Sequence, residues 1–173
     1  MFRKEIITTA EDYRQLVYFT EFQLKRYPTV IMIIAAALSV AALVTGLIGI
    51  IPLLVSLAVC IVCVGVTAFF PLKAAKKAKD GAKYGKVALN AKRTLEYDGV
   101  SIRIYGGRTN TDINAPWQTV FAIYELESCF IVYLTFDKAF CISKNQLTVQ
   151  EAVDMRNYFE KKMQERFYLK CKR

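Results

Sequence analysis

The residues best suited to chemistry are the five cysteines, two of which are spaced as Cys60-x-x-Cys63. This spacing is shared by redox disulfides and by zinc sites. Both thiols fall in an apolar segment without a nearby histidine or acid, so we interpret them as small packing residues of a helix. We expect Cys129 and Cys141 in strands and Cys171 in the tail. The odd number of cysteines and a cytosolic location predict free thiols.

Other catalytic groups are scarce. The chain contains no histidine, which removes Ser-His and Cys-His nucleophile pairs and the commonest metal ligand. Acids of the C-terminal part fall mostly at predicted turns or strand ends, where solvated carboxylates are expected: Glu96, Asp98, Asp112, Glu125, Glu127 and Asp137. Glycines near residues 81–86 and 106–108 lack the spacing of a phosphate-binding loop. The sequence therefore predicts no catalytic residue, no metal site and no cofactor.

The dominant feature of the chain is residues 28–72, which contain no Lys, Arg, Asp or Glu. Pro52 separates two apolar runs, at 29–51 and 53–70. A helix rises ~1.5 Å per residue and the hydrocarbon core of a bilayer is ~30 Å thick, so each run is about long enough to cross it. We predict two membrane-spanning helices joined by a tight turn at residues 49–52. The alternative is a buried hairpin in a soluble core.

Small residues recur at spacings of three and four along both apolar runs. Such stripes let helix backbones approach closely in lipid, so we expect them to be the facing seams of the hairpin, with dimerisation as the alternative. The absence of ionisable groups argues against a proton relay or an ion pathway. The seam residues are Ala35, Ser39, Ala42, Gly46 and Gly49 in the first helix, and Ser56, Cys60, Cys63 and Thr67 in the second.

The net charge of +9 is concentrated after the second run, where residues 73–93 carry eight basic residues against Asp80 alone. Six lysines there are expected to fix the topology or to bind anionic lipids: Lys73, Lys76, Lys77, Lys79, Lys83 and Lys86. Basic residues flank both outer ends of the hairpin and none lies in its turn. The positive-inside rule then predicts a multi-pass protein of the cell membrane with both termini in the cytoplasm. Nucleic-acid binding is not expected, because only Tyr84 interleaves an aromatic ring with these lysines.

Short elements are predicted on either side of the hairpin. Residues 2–8 are extended, and Thr9 begins a helix with acids in its first turn. Its semi-apolar face, which excludes Phe19, either rests at the membrane interface or packs on the C-terminal domain; it comprises Tyr13, Leu16, Val17, Thr20, Leu24 and Tyr27. The basic segment continues the second span as a helix that breaks or bends near Asp80 and Gly81.

From residue 93 the hydrophobic period changes to two, which indicates β-strands. Six are predicted, at residues 93–97, 100–105, 109–114, 120–126, 129–134 and 139–143. Asp98-Gly99 is a hairpin turn, and Ala115-Pro116-Trp117 interrupts the pattern. Trp117, the only tryptophan, is expected in the core at one end of a barrel, with ligand stacking as the alternative. The polar strand at 109–114 and the strand at 139–143 are candidate sheet edges for a protein partner.

A C-terminal helix is predicted from Thr148, because Thr148 and Glu151 have the spacing of a capping box. A single amphipathic helix must bury its apolar face, and the meander is the available partner. The expected face consists of Val149, Ala152, Val153, Met155, Phe159, Met163 and Phe167.

The predicted fold class is thus a membrane α-helical hairpin plus a small α+β domain, in which an antiparallel β-meander is capped by an amphipathic helix. The predicted divisions are residues 1–27, an N-terminal strand and helix; 28–72, the hairpin; 73–92, a basic helix; and 93–173, the cytosolic domain.

Several motifs follow one another in this layout: Tyr97-Asp98-Gly99-Val100, Ala115-Pro116-Trp117-Gln118-Thr119-Val120, the strand at 129–134, and Phe140-Cys141-Ile142-Ser143-Lys144. In these motifs and in its order of elements the chain resembles the YcxB-like family of small bacterial membrane proteins. The resemblance implies a pleckstrin-homology-like (PH-like) cytosolic domain and no established catalytic residues. We therefore expect a non-catalytic membrane protein that presents an interaction module to a protein or a lipid. The alternatives are an assembly or homo-oligomeric subunit that uses the hairpin, and a membrane enzyme.

Overall fold

The computed structural model describes residues 1–83, 89–106, 112–136 and 138–170, with the side chains of residues 82 and 83 excepted. They form two compact units. The sheet unit comprises Met1–Leu16 and Gly81–Arg173, and the hairpin unit comprises Val17–Asp80. The hairpin unit is therefore an insertion into the sequence of the sheet unit.

The first sheet of the sheet unit is antiparallel and has the order β1-β2-β3-β4, formed by β1 (Phe2–Ile7), β2 (Lys92–Tyr97), β3 (Ser101–Tyr105) and β4 (Ile113–Pro116). The strand β1 pairs with β2 along its whole length, from Phe2 opposite Tyr97 to Ile7 opposite Lys92. Beside this pairing the Asn90 N–H donates to the Thr8 carbonyl at 3.0 Å. The extended N-terminus predicted from sequence is thus confirmed, and the pairing joins it to the C-terminal part of the chain.

The second sheet has the order β7-β6-β5-β8, formed by β5 (Ala122–Glu125), β6 (Cys129–Tyr133), β7 (Ala139–Ser143) and β8 (Phe167–Leu169). The strand β8 runs parallel to β5, whereas the other pairings are antiparallel. The antiparallel meander predicted from residue 93 onward is confirmed. The expected break at Ala115-Pro116 is wrong, because both residues belong to β4, an edge strand that tolerates proline.

The closing helix α4 (Val149–Met163) begins with the predicted capping box. The Glu151 N–H donates to the Thr148 hydroxyl at 3.2 Å, and the Thr148 N–H donates to the Glu151 carboxylate at 2.6 Å. The helix buries Met155, Phe159 and Met163, which lie four residues apart.

The apolar face predicted for this helix is too wide. Val149 is 85% exposed and Val153 is 39% exposed. Phe167 is not helical, because α4 ends at Met163 and the chain turns through a positive φ at Gln164 before it enters β8.

Both sheets and α4 share one hydrophobic core, whose aromatic part lies under α4. Tyr97, Trp117 and Phe159 contact one another there, and Phe130 contacts Phe159. The aliphatic part is supplied by Val120, which precedes β5, and by alternate residues of the strands, as the two-residue period predicts: Ile6, Leu95, Ile102, Ile104, Ala115, Ile123, Val132 and Ile142.

A short helix, α1 (Ala10–Tyr18), follows β1. The Thr9 and Asp12 residues cap it reciprocally: the Thr9 N–H donates to the Asp12 carboxylate at 2.9 Å, and the Asp12 N–H donates to the Thr9 hydroxyl at 3.2 Å. The chain then forms a π-helical segment, Phe19–Leu24, in which the Lys25 N–H donates to the Thr20 carbonyl. The wider turn changes which residues share a face, and Phe19, outside the predicted stripe, is buried.

The hairpin unit contains α2 (Tyr27–Leu47) and the first 28 residues of α3 (Leu53–Lys83), joined at the predicted turn. Gly49 adopts φ +79° there, a left-handed conformation that glycine adopts at low cost. The predicted helical continuation of the second span is present, and it does not break near Gly81, because α3 continues to Lys83. A Cβ at Gly81 would lie 2.6 Å from the Tyr13 ring, so this glycine allows close packing within the sheet unit.

The burial of α4 predicts an asymmetric response to truncation. Met155→Ala should lower the free energy of unfolding of the sheet unit by about 2–5 kcal/mol, because the side chain is fully buried. Val153→Ala, on the exposed side of the same helix, should change it by less than about 0.5 kcal/mol. Urea unfolding in mild detergent, followed by the fluorescence of the single tryptophan, Trp117, measures both. Equal losses would contradict the burial of Met155 and the exposure of Val153.

Candidate functional site: the apolar hairpin and its basic flank

The most prominent surface of the described residues is the apolar exterior of the hairpin unit. Two helical segments, Tyr27–Leu47 and Leu53–Gly81, are long and apolar enough to cross a membrane. Their large side chains point outward: Leu54 is 81% exposed, Ile61 72% and Ile33 64%. A helix of a soluble core would bury such residues, since each costs about 1.5–3 kcal/mol in water. The exposure therefore argues against the soluble-hairpin alternative.

The two helices contact each other through small residues. Ser56 is 1% exposed, and its hydroxyl donates to the Ala42 carbonyl. The Cys60 thiol donates to the Ser39 carbonyl at 3.6 Å. A Cβ at Gly46 would lie 2.7 Å from the Ser56 Cβ, so only glycine fits at this approach.

The remaining predicted seam residues divide into two groups. Ala35 and Cys63 are buried, as a helix interface requires. Gly49 does not lie on the seam, because it belongs to the turn and nothing lies within 4 Å of its Cβ position. The Thr67 hydroxyl donates to the Val64 carbonyl of its own helix at 2.9 Å. The spacing of small residues predicts Gly49 as a seam residue, but α2 ends at Leu47 and the helical period does not apply beyond it.

Aromatic rings mark the open end of the hairpin. The rings of Tyr27 and Phe70 are 6.5 Å apart, and those of Phe69 and Phe70 are 5.6 Å apart, each pair in an edge-on arrangement. Phe69 is 57% exposed and Tyr27 is 50% exposed. Aromatic side chains at the boundary of an apolar span are typical of a membrane–water interface. The contact with Phe70 also places the start of α2 level with residue 70 of α3.

Beyond the aromatic rings α3 carries the basic segment. Ala74 and Ala78 are buried, whereas Lys73, Lys76 and Lys79 are exposed. Lys73 lies over the Phe69 ring, 5.8 Å from its centroid. The Lys83 side chain and the whole of Lys86 lie outside the described residues.

Lys77 differs from its neighbours because Glu21 binds it. The Lys77 ammonium donates to the Glu21 carboxylate at 2.6 Å, and Lys25 donates to the same oxygen at 3.3 Å. The Glu21 side chain is only 15% exposed. Its burial alone would raise the pKa, but the two lysines outweigh that effect and hold the pKa of Glu21 below its usual value.

Trp117 is part of the core of the sheet unit, as predicted. It is 5% exposed, and its indole N–H donates to the Asp98 carbonyl at 2.8 Å. Tyr158 donates to the same carbonyl through its hydroxyl and also contacts the indole ring. Burial in this cluster raises the pKa of Tyr97 to about 12. The indole has no free face for a stacked ligand among these rings.

Sequence reasoning missed the one fully buried acid of the described residues. Glu125 was expected to be a solvated strand-end carboxylate, and this is wrong, because it is 0% exposed. Lys144 donates to it at 2.6 Å, and the Arg156 Nε donates at 2.7 Å while the guanidinium forms a second bond. Its cations lie 19 and 31 residues away, so no local pattern indicates the contact.

The cations around Glu125 are themselves well satisfied. Lys144 also donates to the Leu126 carbonyl at 2.7 Å and lies 4.8 Å from the centroid of the Phe130 ring. Burial would raise the pKa of Glu125, but the hydrogen bonds from Arg156 and Lys144 hold it below its usual value. The cluster thus ties β5 to α4 and to the segment before it.

Cys129 and Cys141 form a second buried polar cluster, on the face of the second sheet opposite the core. The Cys129 thiol and the Ser128 hydroxyl both donate to the Gln15 side chain, at 3.6 and 2.6 Å. A hydrogen bond between the two thiols, together with burial, raises the pKa of Cys141 well above its usual value. Both thiols are free and inaccessible, which suits packing.

The described ranges contain no group of three or more His, Cys, Asp or Glu side chains placed to hold a metal ion. No protein-family model matches the chain, and neither a curated protein nor a solved structure is significantly similar to it. The geometry of the hairpin, its aromatic boundary and its basic flank is therefore the basis for a functional assignment.

Glu125→Gln should destabilise the sheet unit by roughly 2 kcal/mol at neutral pH, because Lys144 and Arg156 lose their carboxylate. Arg156 is 40% exposed, so solvent takes up part of the unpaired charge. Since the folded pKa of Glu125 is depressed, the difference from wild type should be constant above about pH 4.3 and disappear as pH falls through the folded pKa.

Urea unfolding at a series of pH values measures this difference. The matched control is Glu5→Gln, which removes a carboxylate whose side chain is 69% exposed, and it should cost less than about 0.5 kcal/mol. Equal effects of the two variants would mean that the ion cluster adds nothing to stability.

The helix seam predicts opposite effects of one substitution at two glycines. Gly46→Ala should destabilise the hairpin, because the new Cβ would overlap Ser56 and displace its hydrogen bond to Ala42. Gly65→Ala, in α3 with nothing within 4 Å, should be neutral or stabilising. Resistance to unfolding in a graded series of SDS–detergent mixtures compares them. A tolerant Gly46 would contradict the close approach of the helices at Ser56.

Proposed function

We propose that this protein is a two-span integral membrane protein of the cell membrane, with both termini in the cytoplasm, that presents the sheet unit as a non-catalytic interaction module. The observation that carries the proposal is the pairing of β1 with β2. These strands lie on opposite sides of the hairpin in sequence, yet they pair residue by residue from Phe2–Tyr97 to Ile7–Lys92.

This pairing constrains the topology independently of charge. Two strands of one sheet occupy the same compartment, so the chain between them must cross a membrane an even number of times. The α2 helix of 21 residues is ~31 Å long, which matches the ~30 Å hydrocarbon core. Two crossings, out along α2 and back along α3, satisfy both conditions.

The side of the membrane follows from the distribution of charge. The described basic residues next to the spans lie at their open end, namely Lys25, Arg26 and the lysines from Lys73 onward, and the turn at 48–52 carries no charge. Lysine and arginine near the ends of spans favour the cytoplasm. The sheet unit, which is joined to that end, would then lie in the cytoplasm.

Several features support a PH-like module. The antiparallel strands β1–β7 form two sheets around one core, and α4 closes that core. A meander capped by a C-terminal helix is the outline of this small barrel, and the YcxB-like resemblance implies the same domain. The parallel strand β8 is an addition to that outline.

A protein is the more suitable partner for the module. The strand-rich part of the module, residues 94–147, carries a net charge of −2, which disfavours acidic lipids at these strands. The candidate strand at 139–143 is the edge strand β7. The other candidate, at 109–114, shares only residues 113 and 114 with the edge strand β4, and its residues 109–111 lie outside the described part of the chain. The unpaired backbone groups of β4 and β7 suit the addition of a strand from a partner. The edge of β1 is less accessible at Ile7, whose N–H and carbonyl both bind the Gln146 side chain.

Assembly through the seam residues is the less favoured alternative. Ser39, Ala42, Gly46, Ser56 and Cys60 already contact one another within the chain. They are therefore unavailable to a second copy while the hairpin stays closed.

The topology is tested with a reporter enzyme that is active only outside the cytoplasm. Fused after Arg173 the reporter should be silent, because the sheet unit is proposed to be cytoplasmic. Inserted at Gly49, in the turn, it should be active. If the chain crossed the membrane once, fusions at Met1 and Arg173 would give opposite results. If the fusions at Gly49 and Arg173 were both silent or both active, the two-span arrangement would be excluded.

A further inference from the structure

We propose that Arg26, Lys73 and Lys76 form a binding surface for anionic lipid headgroups, and that Glu21 withdraws Lys25 and Lys77 from it. The inference rests on the proposed membrane insertion and names the lipid class that the basic flank takes. It divides cations that appear equivalent in sequence into two groups.

The aromatic boundary gives the depth of each cation. Phe70 and Tyr27 are in contact at the end of the apolar spans. At ~1.5 Å per residue, Lys73 lies ~4.5 Å and Lys76 ~9 Å beyond the level of Phe70. Arg26 directly precedes Tyr27 in sequence. The headgroup layer of a bilayer is about 5–7 Å thick on each side, and a lysine side chain extends several ångströms along it. These three cations therefore reach the lipid phosphates.

Pairing, and not exposure, separates the same cations, because Lys77 is also exposed but is bound to Glu21. Arg26, Lys73 and Lys76 are exposed, and within the described parts of the chain they form no ion pair. On α3, Lys76 lies about 160° or more around the helix from the buried side marked by Ala74 and Ala78. Lys77, one residue later, lies beside that buried side and is bound to Glu21. Lipid access and the internal ion pair thus fall on different sides of one helix.

Glu21 is placed to compete with lipid. Its carboxylate accepts from Lys77 at 2.6 Å and from Lys25 at 3.3 Å, with both partners in the hairpin unit. A phosphate would have to displace this partly buried carboxylate to recruit either lysine. The cations left to lipid are then those without an internal partner, and a negatively charged headgroup is the ligand that matches them.

The test uses the full chain reconstituted in bilayers of phosphatidylcholine with a minority of phosphatidylglycerol. Spin-labelled forms of each lipid report the fraction immobilised on the protein, and their ratio gives the selectivity. Wild type should prefer phosphatidylglycerol severalfold, since each cation at the surface contributes about a fivefold change. The double variant Lys73→Gln with Lys76→Gln should lower the ratio severalfold and leave only the contribution of Arg26.

Two single variants test the division of cations. Lys77→Gln removes the same charge from the adjacent position and should leave the ratio within about twofold of wild type. Glu21→Gln releases Lys25 and Lys77 and should raise the ratio. A loss of selectivity in Lys77→Gln as large as in the double variant, or a fall in Glu21→Gln, would overturn the proposal.

Further arms identify the source of the phosphate and separate the two proposals. Inorganic phosphate at matched ionic strength should not change the ratio of the two immobilised lipids. If added phosphate abolished the preference for phosphatidylglycerol, the surface would be assigned to a soluble anion. Equal immobilisation of both lipids by wild type would overturn the lipid surface alone. If neither lipid were immobilised, the hairpin would not be in the bilayer, and the proposed function itself would fail.

Discussion

The pairing of β1 with β2 is the constraint on which the rest of the structure depends. Six residues at the N-terminus align with six residues that follow the hairpin. The Asn90 N–H and the Thr8 carbonyl join the chain again just outside this pairing. The ends of the hairpin segment are thereby held to one sheet, and the proposed even number of membrane crossings rests on this pairing.

A second consequence concerns the boundary of the folded module. Residues 93–173 alone lack β1, which would leave the β2 edge of the first sheet unpaired and would remove Ile6 from the core. They also lack Gln15, which accepts hydrogen bonds from Ser128 and Cys129. The N-terminal residues are thus structural parts of the module, although the hairpin separates them from it in sequence.

Charged groups are used differently in the two units. In the sheet unit, Glu125 is fully buried and is satisfied by Lys144 and Arg156, which joins β5 to α4. In the hairpin unit, Glu21 is partly buried and binds two lysines at the aromatic boundary. One carboxylate joins two elements of the sheet unit, and the other binds two of the lysines next to the apolar spans.

The sequence by itself determined the features that depend on local period and composition. An uncharged stretch with a central proline predicted two helices and their turn. The alternation of apolar and polar residues predicted the β-meander, and the spacing of Thr148 and Glu151 predicted the N-terminal cap of α4. The sequence also predicted the seam between α2 and α3 up to Gly46, because small residues repeat there with the helical period. The prediction was wrong at Gly49, because α2 has ended before this residue and the helical period no longer applies.

Only the tertiary structure decided what depends on residues distant in sequence. The partner of β1, the parallel addition of β8, the burial of Glu125 and the pairing of Lys77 with Glu21 all join positions that no local pattern relates. Lys76 and Lys77 are adjacent and chemically identical, yet Lys77 is bound to Glu21, whereas Lys76 forms no ion pair among the described residues. The reason is physical: neighbours on a helix differ by about 100° in direction, and the surroundings in each direction are set by packing.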